Sequence, residues 1–493
     1  MKKALIFLHK WLGVALALLF LVWFASGIVM VYVPFPALAA GERLAGMQPL
    51  RLDGTCCLTA RQAAGHAGIG FSEARLGMHG ELPVWRLLGD DRRWSAADAR
   101  SGARLAPLPD EAAAAVAERF SGRRALHAQR LERDQWTVAQ GYDPYRPLVR
   151  VAMDGEDGLA LYVSPGAAEV VLDTRRAERA WNWVGAVPHW LYFTELRRWP
   201  ELWHDVVVGL SLPGVLLAAS GVVLGIWQLA LNRSRWIPYR KFWLRWHHIL
   251  GLAAGVASVT WILSGLLSMN PFGVFSPRGA TPDERTRWAG PEAAAVVNPA
   301  RAVALAALAA PREIDLVQLQ GQRWYRIRGA AEPADQVLVA ASRADDAVLP
   351  ALPPASVTAA LRALRAGGAG APLLERLAHY DDLYYSREAA GEAGTFARPL
   401  PVWRARWADG VTMYADPGSA RLLLRADPGT PWQRVLYNGL HSLDFASLLA
   451  RPLLRTTLLV GLCLSGLALC ITACVLAWQV LVPARRAAGR NAR

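Results

Sequence analysis

Across 493 residues the sequence holds only five cysteines, and no Cys-x-x-Cys-His occurs. So few cysteines in so long a chain build no disulfide scaffold, and the missing motif excludes covalent attachment of a c-type haem. Cys56 and Cys57 are adjacent, a placement poorly suited to ordinary bridge geometry. Cys463, Cys470 and Cys474 read as small packing residues within an apolar run. No Gly-x-Gly-x-x-Gly follows a strand-like segment, so the chain has no usual means of binding a nicotinamide dinucleotide. Charged residues are scarce too, at 19%, and the centres of four long apolar runs contain none.

Those runs extend roughly from Leu5 to Val33, His204 to Leu231, His247 to Met269 and Leu453 to Val482. Each is long enough to cross about 30 Å of hydrocarbon as a helix. With 53% apolar residues, the composition is that of an integral membrane protein with sizeable soluble parts. In a soluble chain a net charge of +14 would point to nucleic acid, but here the charges are placed as a bilayer requires, and no nucleic-acid partner is expected. Arg233, Arg235, Arg240, Lys241 and Arg245 crowd the segment between the second and third runs without a single acid. The C-terminal ARRAAGRNAR is equally one-sided, and the N-terminus begins Met-Lys-Lys. By the positive-inside rule these three segments are cytoplasmic and the two long intervening regions lie outside. The stretch from Trp11 to Val33 exceeds the apolar core of about 7–15 residues that secretory signals use, so a retained first helix is expected.

The expected organisation is a spanning helix over 1–33, an outer region over 34–202, a second helix over 203–231 and a basic cytoplasmic loop over 232–246. A third helix over 247–270, a second outer region over 271–452, a fourth helix over 453–482 and a basic tail over 483–493 complete it.

Self-similarity is the most informative signal. At an offset of 238, His9, Leu12, Gly13, Trp23, Ser26 and Gly27 match His247, Leu250, Gly251, Trp261, Ser264 and Gly265. At an offset of 252, Pro147, Leu148, Asp157, Gly158, Tyr162, Pro165 and Gly166 match Pro399, Leu400, Asp409, Gly410, Tyr414, Pro417 and Gly418. The same offset carries His189, Phe193 and Pro200 onto His441, Phe445 and Pro452. The expected fold is therefore an α-helical integral membrane protein whose four transmembrane helices arise from a tandem duplication. Both copies run in the same direction, so a pseudo-twofold axis along the membrane normal would relate them.

Such an axis brings equivalent histidines face to face: His9 with His247 near the cytoplasmic side, and His189 with His441 near the outer side. A buried imidazole in a membrane protein needs a partner, and two opposed imidazoles with a gap between them suit an iron porphyrin with two axial histidines. His248 adjoins His247 but points about 100° away around the helix, and alignment with His9 favours His247. His204 has Thr456 as its counterpart and is a single-copy substitute for His189. His127 and His379 share the 252 offset and read as structural residues of the outer regions, whereas His66 and His79 have no counterpart. Gly13 and Gly251 lie one turn from His9 and His247, leaving room for a flat macrocycle or a close helix. The many tryptophans near the run ends, among them Trp11, Trp190, Trp199, Trp203 and Trp246, read as an interfacial aromatic belt. Met30 and Met269 read as core packing.

In the outer regions, Leu58 to Gly68, Asp110 to Phe120, PARAVALAALAA and ASVTAALRAL read as helices. WRLL, VQLQGQRWYRIRG and QVLVAAS read as strands, giving small α+β modules with antiparallel sheets.

HKWLG with a downstream Ser-Gly, PHWLYF before the second helix, WHHILG with SGLLSMNPF, and such modules outside together resemble the PepSY-associated transmembrane proteins over nearly the whole chain. The resemblance implies two periplasmic PepSY-like domains, a bacterial inner-membrane location with both termini cytoplasmic, and two haem b groups. It also implies that His9, His247, His189 and His441 are axial ligands to haem iron, and that electrons cross the bilayer to reduce a periplasmic ferric complex such as a ferric siderophore. Quinol or a separate reductase would have to supply the electron. The second reading is a haem-free membrane anchor whose outer domains bind or regulate a periplasmic protein. A transporter is disfavoured by helix centres without ionisable residues.

Overall fold

The computed structural model of the chain describes residues 2–54, 56–231, 237–273, 275, 279–331, 335–343, 345–365, 368, 370–387 and 398–482. The chain divides into two compact units, one of residues 1–35, 178–275 and 431–493 and the other of residues 36–177 and 276–430. The tail over 483–493, and Arg233, Arg235 and Trp236 of the basic loop, lie outside the described residues.

In the first unit, four helices are long and apolar enough to cross a membrane: Lys2–Tyr32, Pro200–Leu231, Phe242–Ser268 and Pro452–Leu481. At 1.5 Å per residue the shortest is about 40 Å long, against roughly 30 Å of hydrocarbon. The third helix begins at Phe242 and not at His247, because Phe242, Trp243 and Leu244 extend the apolar pattern into the expected loop. Pro200 and Pro452 sit in first turns, where the missing N–H costs nothing. The first helix packs on the second and fourth, and the third packs on the same two, closing a four-helix bundle. Leu16, Phe20, Phe24, Leu217, Ile262 and Cys470 fill its centre. A Cβ at Gly466 would overlap the Phe24 ring, so this glycine sets how closely the first and fourth helices approach.

The second unit is α+β and its strands pair antiparallel throughout. β1 (Phe71–His79), β2 (Leu82–Gly89) and β3 (Trp94–Asp98) join β8 (Glu313–Leu319), β9 (Gln322–Arg328), β10 (Gln336–Ala340) and β11 (Val348–Leu349) in one seven-stranded sheet, with order β11-β10-β9-β8-β1-β2-β3. Sequence reading predicted two separate modules, but β1 and β8 pair directly, Arg75 opposite Asp315 and Leu76 opposite Ile314. β4 (Ala125–Leu131), β5 (Leu148–Met153), β6 (Ala160–Ser164) and β7 (Glu169–Thr174) form a four-stranded sheet. So do β12 (Leu373–Leu377), β13 (Val402–Arg406), β14 (Thr412–Asp416) and β15 (Arg421–Ala426).

The β8–β9 hairpin turns on Gln320 and Gly321, both with positive φ (48° and 74°), the geometry that matches the twist of tight hairpins. Helices Ala60–Ala67 and Pro299–Ala306 lay small residues on the large sheet around Trp85 and Tyr325. Thr59 and Gln62 close a capping box at the start of the first of these helices. Helix Asp110–Ser121 covers β4–β7, and helix Pro354–Ala363 packs with β12–β15.

Three sequence readings are corrected by this unit. Tyr162 pairs with Arg150 and Tyr414 with Arg404, so Pro147 and Leu148 correspond by ladder position to Pro401 and Val402, not to Pro399 and Leu400. The turn joining β13 to β14 is shorter than its counterpart, which shifts the offset inside the hairpin. His127 stands opposite Ala152, the rung that Leu373 holds opposite Arg406, and His379 falls beyond the end of β12, so these two histidines are not equivalent. Cys56 and Cys57 are joined by a disulfide across a cis peptide with Cα atoms 3.1 Å apart, closer than the ordinary bridge considered from sequence.

A buried ion network holds the centre of the large sheet. Glu313 is fully buried and receives both Arg43 guanidinium nitrogens at 2.9 and 2.7 Å, together with Arg328. Arg75 and Arg43 reach Glu169 at 2.7 and 3.4 Å, and Asp315 pairs with Arg328 at 3.1 Å. Burial alone would raise the Glu313 pKa, but Arg43 and Arg328 outweigh it and hold the carboxyl well below the ordinary value. Replacing Glu313 by Leu strands several buried guanidiniums and should cost about 3–5 kcal/mol of stability, read as a lowered denaturation midpoint of the α+β unit in the full-length protein. His79 behaves oppositely to a salt-bridged histidine: burial first, then Arg119 and Arg86, lower its pKa to about 4. Its neutral form therefore contributes stability that is present above pH 6.5 and lost as pH falls toward about 4. Thermal melts of His79→Gln across that window should show a shallower acid loss than wild type.

Candidate functional site

Four histidines come together as two facing pairs within the bundle unit. His9 on the first spanning helix and His247 on the third have ring centroids 6.3 Å apart and ring planes at 47°. His189 and His441 have centroids 6.2 Å apart and planes at 72°. His189 lies in the short helix Ala186–Trp190, packed on the first spanning helix, and His441 in Leu440–Ser442, packed on the third. The first helix rises about 25 Å from His9 to Ser26, the neighbour of His189, so the pairs lie near opposite ends of the bundle.

Hydrogen bonding fixes the tautomer of all four rings. Nδ1 of His9 is 3.1 Å from Ser220 Oγ, and Nδ1 of His247 is 3.0 Å from Thr472 Oγ1. Nδ1 of His189 is 3.0 Å from Ser26 Oγ, and Nδ1 of His441 is 3.0 Å from Ser264 Oγ. Each hydroxyl donates its own proton to the carbonyl three residues earlier on its helix: Ser220 to Leu217, Thr472 to Leu469, Ser26 to Trp23 and Ser264 to Trp261. A hydroxyl has one proton to give, so toward the imidazole it accepts, and Nδ1–H is the donor. In a neutral ring this puts the lone pair on Nε2, the form in which histidine binds a metal. The carbonyls of Leu217 and Trp23, each 3.2 Å from Nδ1 of His9 and His189, accept from the same protons.

Glycines shape the space around the rings. A Cβ at Gly221 would stand 2.8 Å from His9 Cε1, so any side chain there displaces the imidazole. Gly27 and Gly265 lie beneath His189 and His441, where a Cβ would be 3.5 and 3.7 Å from Cε1. Gly13 and Gly251 face Leu217 and Leu469, where a Cβ would lie 3.8 Å from a leucine methyl, and they line a cavity. That cavity measures about 510 Å³, is bounded by all four spanning helices, and contains His9 and His247 in its wall. Its size lies within the range of about 300–1,000 Å³ usual for cofactor and ligand pockets.

The other candidates stand apart. His204 is half-exposed, with Nδ1 3.2 Å from Asp205 and Nε2 3.1 Å from the Met269 carbonyl, so it does not substitute for His189 opposite His441. His248 lines the cavity but packs edge-on to Tyr239 at 5.4 Å and faces no other histidine. Among the described residues, no group of three or more His, Cys, Asp or Glu side chains could hold a metal ion unaided.

Sequence reading missed the four hydroxyl anchors. Ser26 and Ser264 were matched at the 238 offset without a role, and Ser220 with Thr472 follows the 252 offset as a conservative pair that an identity search passes over. No family model matches the chain, and comparison with curated proteins finds no match.

Imidazole ¹⁵N NMR spectra of the full-length protein in detergent should show four rings as the Nδ1–H tautomer. Ser264→Ala should release only the His441 signal toward a mixture. A predominance of Nε2–H rings in the unsubstituted protein would contradict the hydroxyl argument.

Proposed function

We propose that this chain is a di-haem b-type protein of the bacterial inner membrane that moves electrons across the bilayer to reduce a periplasmic ferric complex, a ferric siderophore, in iron acquisition. On this reading it is a PepSY-associated transmembrane protein made of two like-oriented copies, with both termini cytoplasmic and the α+β unit periplasmic. Quinol or a separate reductase supplies the electron.

The observation that carries the proposal is the spacing and tautomer of the two imidazole pairs. A histidine nitrogen sits about 2.0 Å from a metal it binds and about 1.1 Å from its own ring centre, so two rings on opposite sides of one ion would have centroids roughly 6.2 Å apart. The pairs at 6.3 and 6.2 Å suit that arrangement, and all four rings carry the tautomer that presents Nε2. Recurrence of ligand and anchor at the offsets 238 and 252 supports the duplication.

Haem, when bound, supplies the one-electron couple. The chain's own residues hold the rest. His9 with His247, and His189 with His441, would ligate the two irons. Ser220, Thr472, Ser26 and Ser264 keep the rings oriented and Nδ1 protonated, and the bundle core around Phe20, Phe24 and Ile262 excludes water between the two levels.

Purified protein from haem-replete cells should be coloured and show reduced-state bands of a low-spin b-type haem after dithionite. His9→Ala and His441→Ala should each remove about half of the haem, from different sites, and Ser264→Ala should weaken retention at one site by about tenfold or more. Colourless wild-type protein would instead favour the haem-free anchor.

A further inference from the structure

We propose that the mouth of the cavity beside His9 and His247 is a receptor for the carboxylates of the inner haem and sets which edge of the macrocycle faces the basic end of the bundle. The inference rests on the haem reading above and adds the orientation of the group.

The cavity wall changes character along its length. At depth it is mostly apolar, with Ala17, Phe20, Leu217 and Cys470 and one serine, Ser258, which donates to the Ala254 carbonyl. Lys10 and His248 directly follow His9 and His247 and stand at the imidazole level, and toward the end formed by the N-termini of the first and third helices the wall carries Gln228, Tyr239 and Gln479. Gln228 lies two turns beyond Gly221, which touches His9, and Gln479 two turns beyond Thr472, which anchors His247. Both therefore stand about 10 Å past the imidazole level in the same direction. Apart from Ser258, polar side chains from the four helices and the segment before the third thus gather at the imidazole level and on the side of it toward that end.

Two features at the imidazole level ask for an anionic hydrogen-bonding partner. His248 is 8% exposed and its Nε2 has no hydrogen-bond partner, an omission that a buried polar atom does not carry without cost. Lys10, exposed and with its Nζ 5.2 Å from the Trp11 ring centre, brings a positive charge to the lining, which includes no Asp or Glu. An occupant that fits the whole cavity has a flat apolar body near the imidazoles and acidic groups along one edge. A haem with its two propionates has that form, whereas an uncharged quinol fits the apolar part and leaves Lys10 without a counter-charge.

The test titrates full-length protein from haem-starved cells with haemin and with haemin dimethyl ester, which lacks free carboxylates, following the Soret band. A His441→Ala background isolates the inner site, and wild type is run in parallel. Haemin should bind the inner site about tenfold more tightly than its ester, as expected for charge-assisted hydrogen bonds. Lys10→Met combined with His248→Leu should shrink that preference to about twofold or less while the low-spin spectrum of the ligand pair stays unchanged. Equal affinity for haemin and ester in the parent protein overturns the carboxylate receptor and leaves the haem reading standing. A preference that survives Lys10→Met/His248→Leu overturns its assignment to these residues. No change of the Soret band from that of the free porphyrin, with either compound, removes the haem reading and the receptor together.

Discussion

One contact governs the bundle: a hydroxyl whose proton is committed to its own helix accepts the Nδ1–H of a histidine from elsewhere in the chain. Ser220 and Thr472 sit on the second and fourth spanning helices and hold rings from the first and third. Ser26 and Ser264 sit on the first and third helices and hold rings from the segments that lead into the second and fourth. Each anchor therefore joins two elements of a half, while the facing of the rings joins the halves. In a medium that satisfies no polar group by itself, the same hydrogen bonds remove a desolvation cost and preorganise Nε2. Helix assembly and imidazole orientation are one event here, which is why so few polar residues suffice inside so apolar a bundle.

Much of this was legible in the sequence. Long apolar runs report helices directly, since a bilayer imposes their length, and the four observed helices fall within a few residues of the runs. The histidine pairs were legible because two internal offsets align them, and the structure brings those four rings together. The hydroxyl anchors were not, since a serine one residue from a glycine in an apolar run has packing as its ordinary explanation. Only the proton committed to the carbonyl three residues earlier, a feature of the folded helix, distinguishes an acceptor from a bystander. His204 looked credible from its proximity to a span, yet at the first turn of its helix it reaches the Met269 carbonyl instead.

The α+β unit was legible as elements and illegible as architecture. Helices such as Ala60–Ala67 and Asp110–Ser121 announce themselves by periodicity and caps, and the hairpin over Gln320 and Gly321 by its turn. Which strand edges meet is a long-range choice that local pattern does not encode. The β1–β8 pairing is fixed instead by groups far apart in sequence, above all Glu313 receiving Arg43 and Arg328 in a site closed to water. A local shortening between β13 and β14 likewise broke the 252 offset by which the two long intervening regions were matched.

That seam bears on ancestry. β1 and β8 meet antiparallel about a local twofold, the form of contact by which two identical subunits join when each offers the same edge to the other. If the halves are copies, an ancestor half as long would have carried this edge bare, and association of two such chains would have covered it. Fusion would then turn a concentration-dependent homodimer into a tethered one, with the second edge held near its mate at an effective molarity no free subunit at cellular abundance reaches.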